Sequence, residues 1–289
     1  MWQAICQSAR MAKTRSPKAR TRAQNRRDPR GPRRSAPDRT SAKSPSRAPP
    51  RAAAQDSPAW ILRCAPGLAR TVQAELRNRK VLRHTDRVDV LWQRNHDVLF
   101  LPSVASAPPT ADLRTVEEID RCIVYGRYKI SRHQLDRLAT QLRQQGKRWR
   151  VVVTAEGDHF NRHDLRRFLS RELQARGLAV AESAPRTVFG FCIDAAYYIA
   201  VPETAADALP GRAARVAERE ASLPPTVAAA MAFLGKPDDR DTILDPVCGT
   251  GTLLAEAAAC APDAALIGRD LDPKAIKAAR QNLAELGAD

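Results

Sequence analysis

The sequence predicts an α/β protein, and three observations carry that expectation. Strand-like apolar runs alternate with helix-periodic ones from about position 59 onward. Between residues 242 and 270 a strand, a glycine-rich turn, a helix and a second strand follow one another. The first 55 residues hold almost nothing that could enter a core, so the fold belongs to the rest of the 289-residue chain. Period two against period 3.6 is what separates the two element types.

Residues 1–55 carry 15 Lys/Arg against two acids, Asp28 and Asp38, and contain seven prolines. Such a composition cannot bury enough apolar surface to offset its chain entropy, so residues 1–56 read as a disordered basic tail. A tail of this kind attracts nucleic acid through counterion release. It equally suits a solvated extension ahead of a start at Met11, or an Arg/Ser-rich transit peptide. Those alternatives stay open here.

Residues 56–120 balance nine Lys/Arg against nine Asp/Glu, and residues 57–120 read as a small α+β module. A strand at 60–64 runs into Pro66-Gly67, followed by a helix carrying Leu68, Val72 and Leu76. Strand-like runs follow at 88–92 and 98–101, then a small-residue loop at 103–111. Thr115 and Glu118 have capping-box spacing, which predicts a helix running toward Ile123. Trp92 falls in an alternating strand and is read as a core residue.

Residues 121–176 hold 14 basic and five acidic groups, yet they are patterned to fold. Leu135, Leu138, Ala139 and Leu142 repeat at helical spacing behind Ser131 as N-cap. A second helix turns Leu165, Phe168, Leu169 and Leu173 inward and stops at Gly177. Arg166, Arg167 and Arg171 fall off that stripe. A short strand at 150–154 lies between the helices, and two more, at 188–193 and 197–201, close the module. Surface arginines on a folded unit make a better nucleic-acid candidate than a tail. The residues singled out for RNA are Lys147, Arg148, Trp149, Arg150, Arg162, Arg166 and Arg167, with Trp149 as a base-stacking candidate.

Residues 203–218 are Ala-rich and polar and read as a linker. A helix then begins at Ser222-Leu-Pro-Pro225, with proline in the first turn where no N–H is needed, and ends at Gly235. Residues 242–252 read strand then DPVCGTGT, 253–260 helix, 264–268 strand, and Asp270 stands at the second strand's tip. That arrangement holds an adenosine nucleoside at the carboxyl edge of a sheet, with glycines allowing close approach and the acid accepting the ribose hydroxyls. A Walker loop is excluded because no lysine follows the second glycine. The dinucleotide fingerprint needs a third glycine where this chain has Leu254. Asp245, at the first strand's end, repels a pyrophosphate but suits the amino-acid end and sulfonium of S-adenosylmethionine.

DPVCGTGT (245–252), GRDLDPKAIKAARQN (268–282) and REASLPPTVAAAMA (219–232) resemble the S-adenosylmethionine-dependent RNA methyltransferases that carry a THUMP domain. LRTVEEI (113–119) is similar to that family's segment between its ferredoxin-like and THUMP domains, and 150–168 to the THUMP strand–helix core. The resemblance covers about 57–289. It implies a ferredoxin-like module at 57–120, a THUMP domain at 121–202, and a partial Rossmann-like methyltransferase domain at 219–289. It also implies methylation of a guanine exocyclic amine in structured tRNA or 23S rRNA, by in-line attack of the amine on the sulfonium methyl. The cofactor-binding residues it implies are Asp245, Cys248, Gly249, Gly251 and Asp270, with Cys248 packing the turn.

The family's tetrapeptide Asn/Asp-Pro-Pro-Tyr/Phe has no match, since the Pro-Pro pairs follow Ala48, Ala107 and Leu223. The acid expected near adenine after a third strand is missing too, so no catalytic residue is assigned. The alternative is a catalytically incomplete RNA-binding relative, or a chain whose sheet a second chain completes. His159 and His163 stand four apart with no third ligand, which favours RNA contact or capping over zinc. Six scattered cysteines without C-x-x-C argue against a disulfide scaffold and fit a cytoplasmic setting. No run of about 18 apolar residues predicts a membrane span.

Overall fold

A computed structural model describes residues 58–285, apart from 94–95, 103, 105–107, 109–112 and 204–221. The predicted basic tail, and all of the predicted linker but Glu203, lie outside the described residues.

The first unit of structure is β1 (Ala59–Cys64), α1 (Ala69–Asn78), β2 (Asp89–Gln93) and β3 (His96–Leu101). Val72 and Leu76 of α1 are fully buried against Leu62, Cys64, Leu99 and Leu101. The next element corrects the sequence reading: the predicted helix from Thr115 is a strand, β4 (Glu118–Arg127). Its run of Ile119, Cys122, Ile123, Val124 and Tyr125 suits a pleated, buried surface. The Thr115 hydroxyl, expected to cap a helix, donates to the buried carboxylate of Glu75, and Glu118 pairs with Arg63 on β1.

Then come α2 (Arg132–Gln145), β5 (Arg148–Glu156), α3 (Arg162–Gln174), β6 (Ala179–Val180), β7 (Arg186–Ile193) and β8 (Ala196–Pro202). Ser131 caps α2 as expected, and Gln134 completes a reciprocal capping box with it. Asn161 caps α3 by accepting from His163 and Asp164. Leu135, Leu138 and Leu142 of α2 and Leu165, Leu169 and Leu173 of α3 form one core with Trp149 and Tyr197. Each such buried side chain contributes roughly 1.5–3 kcal/mol by leaving water.

Strands β1 to β8 form one sheet in the order β2-β3-β1-β4-β8-β7-β5-β6. Strand β4 lies between β1 and β8, so residues before and after position 120 share a single hydrogen-bonded surface. The residues that pack against α1, α2 and α3 occupy one face of this sheet. The opposite face curls on itself: Phe100 on β3 meets Tyr125 at 4.9 Å and Tyr198 on β8 at 4.8 Å between ring centroids. Small side chains at the crease, Ala59, Cys122 and Ala200 in one cross-strand row, allow this approach. A register shift between Cys122 and Val124 adds the local bend.

The last part comprises α4 (Pro225–Gly235), β9 (Thr242–Asp245), α5 (Thr252–Cys260), β10 (Ala265–Gly268) and α6 (Pro273–Glu285), with β9 and β10 parallel. Helix α4 starts at the second proline of the Pro-Pro pair, as expected. A crossover connection between parallel strands puts both carboxyl ends at the same edge. That edge carries the site.

Candidate functional site

Asp245 closes β9 and is paired in register with Gly268, the last residue of β10. The chain then crosses between the strands twice. Arg269 donates its N–H to the Asp245 carbonyl at 2.9 Å, and Cys248 donates to the Arg269 carbonyl at 2.8 Å. These bonds lay the DPVCGTGT turn against the tip of β10. The Asp270 carboxylate accepts from Gly249 N–H at 3.0 Å and from Asp272 N–H at 2.9 Å. Asp245 folds back to accept from Val247 N–H at 3.1 Å.

The two turn glycines serve different ends. Gly249 has φ +53, and a Cβ there would meet nothing within 4 Å, so the turn is open on that side. Gly251 has φ +79 and caps α5, while a Cβ there would come within 3.1 Å of the Ala279 methyl on α6. Behind the turn Cys248 is buried, with its sulfur 3.0 Å from where a Gly268 Cβ would sit. Burial, helped by the carboxylates of Asp245 and Asp270, pushes the Cys248 thiol above its ordinary range. A protonated, buried thiol is a packing group rather than a nucleophile.

Two apolar side chains of this region stand in solvent: Leu271, next to Asp270 in the chain and fully exposed, and Val247 in the turn, 78% exposed. A depression beside Asp270 is lined by Leu271, Pro273, Ile276, Lys277, Arg280 and Gln281. An acceptor carboxylate, open backbone and exposed apolar contacts together suit a nucleoside with a flat base.

Sequence reasoning missed the supports of this turn. Asn282 donates its side-chain N–H to the Thr250 carbonyl at 3.0 Å while almost wholly buried. Ser222, just ahead of α4, lies 3.3 Å from the Thr250 hydroxyl. The signal for Asn282 was present: it continues the stripe Ala275, Ala278, Ala279 at helical spacing, where a buried amide needs a polar partner. The Arg114–Glu256 pair, at 2.6 Å, joins residues 142 apart in the chain and left no local pattern.

The RNA candidates form two patches. Lys147, Arg148 and Arg150 lie at the start of β5, beside residue 179, which follows α3. Arg162, Arg166 and Arg167 occupy the first half of α3, whose 13 residues span about 18 Å. Arg166 pairs with Glu182, Arg167 with Asp164 at 2.6 Å, and Arg150 donates to Thr187 at 3.0 Å. Trp149 is corrected from a stacking candidate to a core residue. It is 1% exposed, and its indole N–H donates to the Gly146 carbonyl at 2.9 Å. In β5 its side chain alternates to the helix-covered face, which flanking arginines cannot reveal. The side chain of Trp92 lies outside the description. His163 sits 3.1 Å from Arg162 Nε, and His159 packs on Tyr128 and Phe160. Among the described residues no group of three ligating side chains is placed to hold a metal, and no helix is long and apolar enough to cross a membrane.

Residues 212–289 match a family model described as RMKL-like, methyltransferase domain. No curated protein matches the chain significantly. Among solved structures, TrmN from Thermus thermophilus is 22% identical, with a TM-score of 0.62 over 79% of this chain and 70% of that one. A predicted N6-adenine-specific DNA methylase from Listeria monocytogenes is 16% identical, with a TM-score of 0.58 over 80% and 72% of the two chains. SMU.472, solved in complex with SAH, is 18% identical, with a TM-score of 0.55 over 79% and 72%. At these identities the likeness is one of fold. Residues 212–289 are thus similar to a methyltransferase domain, the kind of domain that uses S-adenosylmethionine. The residues present fit it: Gly249 leaves open space where a side chain would stand, and Asp270 is held at its rim.

Proposed function

We propose that the chain is an S-adenosylmethionine-dependent RNA methyltransferase that modifies a guanine exocyclic amine in tRNA or 23S rRNA. In this reading residues 121–202 act as a THUMP-type RNA-binding unit. The observation that carries it is the contact of Gly249 N–H with the Asp270 carboxylate at 3.0 Å, which joins the open turn to an acid at the next strand's tip. S-adenosylmethionine would supply the methyl group. Asp270 would orient the ribose, Gly249 would admit the ligand to the backbone, and Leu271 and Val247 would exclude water from its base. Catalysis would rest mostly on positioning.

The RNA half of the reading is supported by the exposed arginines of α3. The test is calorimetric titration of the full chain with S-adenosylmethionine, followed by transfer of labelled methyl groups onto tRNA, rRNA and duplex DNA. Cofactor binding is the expected result for this chain, with label on guanine N2 of RNA once a partner chain supplies the tetrapeptide it lacks. Label on adenine of DNA would replace the RNA reading. RNA binding with no cofactor binding would leave a relative that binds RNA without chemistry.

A further inference from the structure

We infer that the exposed ring of Tyr128 is a stacking platform for an unpaired base of the RNA. This rests on the proposed function and deepens it by naming where a single-stranded nucleotide is held.

Tyr128 follows β4 with φ +62, a left-handed conformation that a bulky side chain resists. Lys129 N–H donates to the Arg127 carbonyl at 2.7 Å, closing a three-residue turn around it. With positive φ at its centre this is the rare, strained form of γ-turn. Glycine would adopt it freely, and burial does not explain the tyrosine, since it is 61% exposed. Strain held in place by its surroundings points to use.

The surroundings do hold it. Tyr128 N–H donates to the Ala195 carbonyl at 2.8 Å. The His159 ring packs edge-on to Tyr128 at 5.4 Å, Phe160 packs edge-on to His159 at 4.8 Å, and Phe160 reaches buried Tyr197 at 6.2 Å. A row of rings therefore braces the exposed one from the core outward. The Arg127 guanidinium lies 5.2 Å from its centroid, a group that stacks on bases as well as on tyrosine.

Charge separates this surface from the arginine face of α3. The loops that meet here, 127–131, 157–161 and 194–195, carry Arg127 and Lys129 against Asp158 and Asp194. With charges balanced, attraction to phosphate contributes little and the π-face supplies the contact. Base–aromatic stacking is tolerant of sequence and is lost with the ring.

The test uses the full chain and three probes: a short oligoadenylate RNA, its DNA counterpart and a blunt RNA duplex. Tyr128→Gly should raise the Kd for the single-stranded RNA by roughly ten- to a hundredfold. It should leave the slope of log Kd against log salt unchanged and the thermal midpoint no lower. Tyr128→Phe should bind as the parent does, and Tyr128→Asn, which also tolerates the turn, should repeat the loss. Unchanged binding by Tyr128→Gly would overturn the platform, as would equal affinity of the parent for duplex and single strand, while RNA binding through α3 would survive. Preference for the DNA strand would overturn the choice of RNA. A parent chain that binds none of the probes would sink the RNA reading itself and the platform with it.

Discussion

The Arg114 Nε and the Glu256 carboxylate meet at 2.6 Å, tying the strand-entry segment ahead of β4 to the helix that leaves the glycine turn. The same segment donates two backbone N–H groups, from Arg114 and Thr115, to Glu75 on α1 at 2.9 and 3.1 Å. Glu117 lies 3.5 Å from the Thr226 hydroxyl on α4 and 3.0 Å from His96. Residues 114–117 thus bond to α1, β3, α4 and α5 at once.

Arg114→Ala should therefore destabilise the chain by about 3 kcal/mol, because it withdraws a guanidinium from a carboxylate buried in the protein. Denaturant titration checks this. The double variant with Glu256→Ala should lose less than the two single losses added together, which is the signature of direct coupling.

Asp270→Asn keeps the shape of the side chain and removes its charge. It should weaken S-adenosylmethionine binding roughly ten- to a hundredfold, the scale of hydrogen bonds to a charged acceptor. Calorimetry reads that loss, and RNA affinity measured on the same sample should not move. Equal loss of both would show that cofactor and RNA sites are not separate.

The two turn glycines should respond differently to alanine. Gly251→Ala meets both a positive φ and the Ala279 methyl, and should cost about 2 kcal/mol of stability. Gly249→Ala meets only its φ, costing about 1 kcal/mol, but its methyl enters the open side of the turn. Its larger effect should be on cofactor affinity. Thermal unfolding with and without ligand distinguishes the two.

Asp120, wholly buried on β4, has its pKa raised chiefly by burial, with the Arg63 guanidinium beside it pulling the other way. A carboxyl with a raised folded-state pKa holds its proton in the native chain where the unfolded chain has lost it. Its contribution to stability is therefore present below the ordinary carboxylate pKa and is lost as pH rises through the folded value. Unfolding free energies of the parent and Asp120→Asn, measured across that range, should differ with this sign. A parent-minus-variant difference that grows with pH would refute the assignment.

What could be read from the sequence was local. The Ser131 cap of α2, the leucine stripes of α2 and α3 and the DPVCGTGT turn ahead of Asp270 depend on spacings of a few residues, and each stands where its pattern places it. Strand β4 was missed because Thr115 and Glu118 mimic a capping box, while the partners that settle the matter, Arg63 and Glu75, lie some 40 to 55 residues earlier. Trp149 was misplaced for a related reason. Neighbouring arginines suggest a surface, but strand alternation sends the indole inward. The bracing of Tyr128 by His159 brings two loops together and has no signature along the chain.

Strand β4 also sets a schedule for synthesis. One of its edges pairs with β1, made earlier, and the other with β8, which begins about 70 residues after β4 ends. At ribosomal rates that interval lasts on the order of 4–14 seconds. For that time a nearly finished half-sheet carries an unpaired row of amides and carbonyls beside Ile123 and Val124. Nascent chains too short to expose β8 outside the ribosome should be the species most prone to clump and the ones chaperones hold, whereas chains long enough to expose it should be released. Ribosome-bound intermediates of the two lengths, compared by protease resistance, would show the step.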